Sequence, residues 1–302
     1  MGGDVKMKKI IKITMLIISL TLIAGIAQFQ LSQAANKGVK ISKKHFPDPY
    51  FRKAVKKYYD YNKDGYLSKS ETAFVFKMNH EPGHYLFGKS KKIWKKKHSL
   101  KGIEYFPELK ELQITDVNIG NPNLKENLQL ECVYLYGTNT TYLNTKDNIY
   151  LRRLHIIPKN DVKWQKAHPL KNMDFSQNKK LEQLLVPNGL SKIDVSMLTK
   201  LQYLNVAGGK LTKLDISNNA ELTTLDCSGN ALTELDLSNN PELTALLCQN
   251  NKLNKLTFFE EPWLAWLDCS GNSLAEVDMK NGCVTDTWKR DPGTVVQNVL
   301  AD

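Results

Sequence analysis

A β-solenoid of short stacked coils is the fold this sequence predicts, and three observations predict it. Leu211, Leu232, Leu253 and Leu274 recur at one constant interval. The text between them nearly repeats: Leu-Thr-Lys-Leu-Asp-Ile-Ser-Asn-Asn at 211–219 returns as Leu-Thr-Glu-Leu-Asp-Leu-Ser-Asn-Asn at 232–240. Within each phrase the apolar residues fall at i, i+3 and i+5, which is not the spacing of a helical face. A fixed period of about 20 residues built on such phrases is the signature of a leucine-rich-repeat solenoid. That architecture has a parallel β-sheet on its concave face and a mostly β or irregular convex side, and the sheet is a surface for holding partners.

The chain begins with residues that read as a secretory signal peptide, 1–34. Lys6, Lys8, Lys9 and Lys12 give the positive region, Ile13 to Ala27 the apolar stretch, and Ser32-Gln33-Ala34 a small-x-small cleavage site. The apolar run falls short of the ~20 residues a spanning helix needs, so no transmembrane anchor is expected after cleavage. Losing those four lysines and Asp4 lowers the formal charge from +11 by three, to +8. No cysteine closely follows the apolar stretch, and no Pro-x-Thr-Gly sorting motif closes the chain. The expectation is a secreted or cell-surface protein, with nucleic acid excluded as a partner by that compartment.

Residues 35–88 are expected to form a small α-helical, EF-hand-like cap. Asp60-Tyr-Asn62-Lys-Asp64-Gly65-Tyr66-Leu67-Ser68-Lys-Ser-Glu71 places oxygen ligands at positions 1, 3, 5, 9 and 12 of a calcium loop, with glycine at 6. Asp60, Asn62 and Asp64 would supply side-chain oxygens and Tyr66 its carbonyl. Ser68 would act through water, and Glu71 would reach back with both oxygens. Phe51, Val55 and Tyr58 share a helical face before the loop, and Thr72–Met78 is expected to continue as a helix after it. Calcium is the one cofactor expected.

His80-Glu81-Pro82-Gly83-His84 then spells the H-E-x-x-H zincin pattern. That chemistry needs both histidines one helical turn apart, and Pro82 and Gly83 oppose a helix there. A zinc metalloprotease is therefore a remote alternative, and no catalytic residue is assigned. The segment 89–101 reads as a basic linker. Its Lys91, Lys92, Lys95, Lys96 and Lys97 form either a solvated stretch or a patch for anionic wall polymers.

The solenoid is expected over 102–282, as eight coils. Their first phrases start at Leu109, Leu130, Leu151, Leu181, Leu201, Leu222, Leu243 and Leu264. At ~4.8 Å per strand the sheet would run about 35–40 Å. The step from Leu151 to Leu181 is longer than the others and implies an inserted loop around 158–169. Asn230, Asn251 and Asn272 end their phrases, where an amide satisfies backbone groups at a bend. Cys227, Cys248 and Cys269 share one register, and with no histidine in it they read as small apolar core residues. The non-repeating stretch 283–302 is expected to cap the last coil.

This order of segments resembles secreted leucine-rich-repeat proteins of Gram-positive bacteria related to the internalins. The residues that carry the likeness are Phe46-Pro47-Asp48-Pro49-Tyr50-Phe51-Arg52, the calcium loop, Leu100-Lys101-Gly102-Ile103-Glu104-Tyr105-Phe106 and the repeats. The cysteine register is similar to the ladder of the internalin J type, whose repeats have the same length. The resemblance implies a surface-exposed or secreted binding protein, often an adhesin.

Strand alternation turns the residues between the inward leucines onto the concave side. Tyr134, Tyr136, Arg153, His155, Tyr203 and Trp266 are the residue types there that dominate binding energy at interfaces. The expected function is calcium-stabilised recognition of a cell-surface protein or glycan by a monomer. The alternative is a wall-associated structural protein held by the 89–101 lysines.

Overall fold

The computed structural model describes residues 37–80, 86–87, 95–159, 169–260 and 262–299. The signal-peptide segment, Lys91, Lys92 and most of the loop expected around 158–169 lie outside them.

The described chain opens with a short strand, β1 (Val39–Lys40), and a helix, α1 (Pro49–Tyr58). Asp48 starts the helix: its Oδ1 accepts from the amides of Tyr50 and Phe51, both at 2.9 Å, and Pro49 follows at the first turn. Lys56 and Lys57 in the last turn suit its negative end. Phe51, Ala54 and Val55 form the buried stripe.

The expected second helix over Thr72–Met78 is not what forms. After strand β2 (Tyr66–Leu67), helix α2 spans only Lys69–Thr72, closed by a capping box between Ser68 and Glu71. The chain then extends, because Met78 has to enter the core in register with Leu112. Lys77–His80 becomes strand β3, parallel to β4 (Glu111–Thr115). Among the described residues the cap thus holds one ten-residue helix, one four-residue helix and an antiparallel β1–β2 ribbon.

All eight expected first-phrase strands form and pair in parallel. They are β4, β5 (Cys132–Thr138), β6 (Arg153–Pro158), β7 (Gln183–Leu185), β8 (Tyr203–Asn205), β9 (Thr224–Asp226), β11 (Ala245–Leu247) and β13 (Trp263–Asp268). Three more strands lengthen the sheet to eleven: β3 at one end, β14 (Glu276–Lys289) and β15 (Val295–Val299) at the other. Its ten steps of ~4.8 Å give about 48 Å, longer than eight coils predict. The sheet also begins at Lys77, inside the segment read as the cap. On the opposite side β10 (Glu234–Leu237) pairs in parallel with β12 (Lys255–Phe258), both made by second phrases.

Asparagine side chains link the coils. Asn251 Nδ2 donates to the carbonyls of Cys227 (3.1 Å) and Cys248 (3.0 Å), while its Oδ1 accepts from the Leu232 amide (3.1 Å). Asn230 and Asn272 repeat the arrangement. A second ladder went unread in the sequence. Asn127, Asn148, Asn178, Asn219 and Asn240 are buried, and each donates from Nδ2 to two carbonyls of the preceding coil. Leu198 fills the same place in the coil between Asn178 and Asn219.

Beside the last asparagine of the first ladder, Asn272, the chain leaves β14 without another asparagine of the repeat. Asp291 takes that place, accepting from the Gly271 and Asn272 amides at 2.8 and 2.9 Å. Within the described part of the 283–302 segment, β14 runs on to Lys289 beside β13 and β15 pairs with β14.

Cys227, Cys248 and Cys269 are buried as free thiols, and burial drives each pKa up, that of Cys269 to about 11. Cys132 is half-buried on the outward side of β5. A thiol reagent applied to the folded chain is therefore expected to modify Cys132 first and the three ladder thiols only after denaturation. Rapid native-state labelling of the ladder, read by mass spectrometry, would refute that packing.

Candidate functional site

The outward face of the main sheet is a grid whose columns follow the strand register. One column runs Glu111, Cys132, Arg153, Gln183, Tyr203, Thr224, Ala245, Trp266, and the next runs Gln113, Tyr134, His155, Leu185, Asn205, Asp226, Leu247, Asp268. Inward neighbours such as Leu112, Val133, Leu154, Leu184 and Leu204 are fully buried, which holds the grid rigid.

Four of the expected site residues come together on β5 and β6. Tyr134 and Tyr136 stack with centroids 5.9 Å apart, and Tyr134 meets His155 edge-on at 4.9 Å. The Tyr136 hydroxyl lies 2.7 Å from His155 Nδ1, and His155 Nε2 lies 3.2 Å from Gln183 Oε1. An amide oxygen only accepts, so Nε2 carries the proton and Nδ1 accepts from Tyr136. Arg153 hydrogen-bonds Tyr134, which raises the guanidinium pKa further. Burial pushes the Tyr134 hydroxyl up to about 12 and raises that of Tyr136.

Desolvation, followed by nearby Arg153, lowers the His155 pKa below its ordinary 6.5, against the opposing effect of the hydrogen bond it donates to Gln183. With the folded pKa below the unfolded one, the neutral ring's contribution is intact above about pH 6.5 and is lost as pH falls from there toward the folded value. His155→Gln is expected to flatten this acid-side loss, measured as denaturation midpoint against pH. An unchanged slope would show that the ring is not desolvated as described.

Tyr203 stands two strands beyond Arg153, about 10 Å away along the register Arg153–Gln183–Tyr203. Trp266 does not join the cluster. It lies five strand steps from Arg153, roughly 24 Å, and faces Lys289, whose ammonium is 6.0 Å from the ring centre. The strands between carry Thr224 and Ala245 in the same column. Sequence reasoning did not single out Gln183, which shares the Arg153 column and holds His155. It missed Lys289 altogether, because β14 has lost the repeat spelling that would have marked its register.

The calcium-loop residues are brought together around a sharp turn, with Gly65 at φ 80° and Lys63 at φ 58°. Asp60 Oδ2 accepts from the Gly65 amide (3.1 Å), Asn62 Oδ1 from Asp64 (3.0 Å) and Asp64 Oδ1 from Tyr66 (2.8 Å). Glu71 is buried: Oε1 accepts from the Tyr61 amide at 2.8 Å, and Oε2 from the Ser68 amide (2.8 Å) and hydroxyl (2.7 Å). Asp60 Oδ1 is buried with no hydrogen-bond partner. β2, inside the loop, pairs with β1, so the loop is bound to the first described residues of the chain. Among the described residues no three His, Cys, Asp or Glu side chains converge as a preformed metal cluster.

Lys95, Lys96 and Lys97 are exposed side by side, while the next residue, His98, is buried against Asp48 at 3.0 Å. His80 closes β3, extended backbone where the zincin pattern requires a helix, and Glu81–His84 lie outside the described residues.

The fold and its outward face define a leucine-rich-repeat solenoid. No family model matches the chain, and no curated protein matches it. Among solved structures, the chain is similar to internalin C2 from Listeria monocytogenes, with 17% identity and a TM-score of 0.54, over 80% of this chain and 91% of that one. A second match is the functional domain of InlJ from Listeria monocytogenes, which includes a cysteine ladder; it is 21% identical with a TM-score of 0.35, over 86% of this chain and 70% of that one. At these identities the likeness to internalin C2 shows the shared solenoid fold. No helix among the described residues is long and apolar enough to cross a membrane.

Proposed function

We propose that this chain is an adhesin-like recognition protein of a Gram-positive bacterium, secreted or held at the cell surface. It binds a cell-surface protein or glycan through the outward face of its main sheet. The observation that carries this reading is the hydrogen-bonded cluster of Tyr134, Tyr136, His155 and Gln183, with Arg153 exposed beside it, on a sheet whose inward side is fully packed. Half-exposed aromatic rings fixed by their own hydroxyls present apolar area at little entropic cost. The test is retention of the mature chain on host or neighbouring cells, with Tyr134→Ala/Tyr136→Ala as the comparison. Loss of retention in the double variant supports the reading; equal retention rejects it.

The second reading, a wall-associated protein held by charge, rests on the exposed Lys95, Lys96 and Lys97 together with Lys91 and Lys92. Binding of that kind to isolated cell walls fails by about half-molar salt, where screening acts over only a few ångströms. Recognition of an intact partner by the aromatic cluster weakens less over the same range, because most of its contact area is uncharged.

In the same proposal, calcium stabilises the cap. Asp60 Oδ1, buried and unpartnered, suits a cation, and Asn62, Asp64, Tyr66, Ser68 and Glu71 supply the remaining oxygens. Glu71 would exchange some of its bonds to Tyr61 and Ser68 for the ion. Calcium at about a hundredfold excess over its Kd is expected to stabilise the cap by about 2.7 kcal/mol, and Asp60→Ala to abolish the effect. A thermal midpoint indifferent to calcium and chelator would reject the site.

A further inference from the structure

Among the described residues, ion pairs bridge neighbouring strands along the first half of the outward face. Lys77 pairs with Glu111 (2.7 Å), Lys110 with Glu131 (2.9 Å) and Arg152 with Glu182 (2.7 Å), each bridging neighbouring strands. Arg153 is exposed, and among the described residues no carboxylate lies within ion-pair distance of it. Glu182 is already committed to Arg152 through both Nε and a terminal nitrogen. Directly across the register stands Gln183, whose Oε1 faces His155, so its Nε2 group points its donors elsewhere.

Beyond the two tyrosine hydroxyls, what Arg153 and Gln183 offer here are donors, and the guanidinium keeps donors free besides the one given to Tyr134. The acceptors of the cluster, His155 Nδ1 and Gln183 Oε1, are occupied within it. A carboxylate accepts only, and a guanidinium fork beside an amide receives both of its oxygens, whereas each hydroxyl of a neutral sugar also has a proton to donate. We infer that Arg153 and Gln183 receive an Asp or Glu carboxylate from an acidic segment of a protein partner, with Tyr134 and Tyr136 packing against its flanking residues. This rests on the recognition reading above and narrows the partner to a protein with an acidic, aromatic-compatible surface strip.

The test uses the full mature chain carrying Lys95→Gln, Lys96→Gln and Lys97→Gln, so that the basic segment does not mask the site. A labelled oligoglutamate peptide is titrated by fluorescence anisotropy. Salt-sensitive binding is expected, weakened about tenfold by Arg153→Gln, one charged hydrogen-bonded contact being worth roughly that factor, and only partly restored by Arg153→Lys, which lacks the fork. Gln183→Leu should weaken it severalfold. Equal binding by Arg153→Gln overturns the inference, as does tighter, Arg153-dependent binding of oligogalacturonate, which would make the partner an acidic glycan. Arg153 is exposed, so its variants fold. Cell retention separates the two levels: loss with Tyr134→Ala/Tyr136→Ala but not with Arg153→Gln rejects the carboxylate alone, and loss with neither rejects the recognition reading.

Discussion

Replacing Asn148 by aspartate is expected to destabilise the solenoid by about 3–5 kcal/mol at neutral pH, the cost of an uncompensated buried charge. Asn148 is 1% exposed, and its Nδ2 donates to the carbonyls of Leu124 (3.0 Å) and Asn127 (2.9 Å). Aspartate would set a carboxylate oxygen against those same carbonyls, with neither solvent nor cation to offset it. Its folded pKa would rise above the unfolded value, so the penalty is absent in acid and grows as pH climbs through the ordinary carboxylate range. Urea midpoints of the variant against the parent between pH about 4 and 7 measure this. Asn148→Leu is the control. The two carbonyls keep their bonds from the amides of Asn127 and Leu130, and Leu198 already occupies the equivalent place, so its cost should be only about 1–2 kcal/mol. Equal losses in both variants, or a pH-independent loss in the aspartate, would show that the amide's donors do not matter.

Gly102→Ala is expected to detach the cap from the first coil, at about 2–5 kcal/mol. Gly102 has φ +108°, a conformation L side chains rarely adopt, and a Cβ there would fall inside the ring of Phe46. Phe46 is fully buried and touches both Phe51 of α1 and Tyr105, so this ring joins the helix to the coil. Each coil of a solenoid leans only on its neighbours, so the damage stays local. Hydrogen exchange should lose protection in 37–80 and 98–106 and keep it beyond β5. Uniform loss along the chain would mean that cap and coils unfold as one unit.

The repeat grammar was legible because each leucine position has one physical job, and the eight phrases starting at Leu109 through Leu264 all became strands. Beyond that grammar, local spelling was ambiguous. Thr72–Met78 is apolar enough for a helix, yet the helix stops at Thr72 and the chain enters a strand at Lys77, where Met78 matches Leu112, far along the chain. The second asparagine ladder was visible as Ser-Asn-Asn at 217–219 and 238–240, yet which asparagine turns inward depends on the coil path. At the candidate site, alternation correctly set Tyr134, Tyr136, Arg153 and His155 on one face. It could not reveal that Trp266 stands about 24 Å from them, since shared face and shared neighbourhood are different properties.

Leu198 and the lengthened step from Leu151 to Leu181 interrupt an otherwise translational pattern. Between 211 and 279 the coils are so alike that sliding one stretch past another by a single repeat meets nearly the same partners, an invitation to misalignment during folding. The two irregularities, both before Leu211, confine that degeneracy to the later coils. A chain slipped by one coil would set Leu198 where the neighbouring coils place an asparagine donor. They act as landmarks along a ruler of equal graduations, so the near-identical coils are free to be gained or lost through duplication while the irregular half keeps the count.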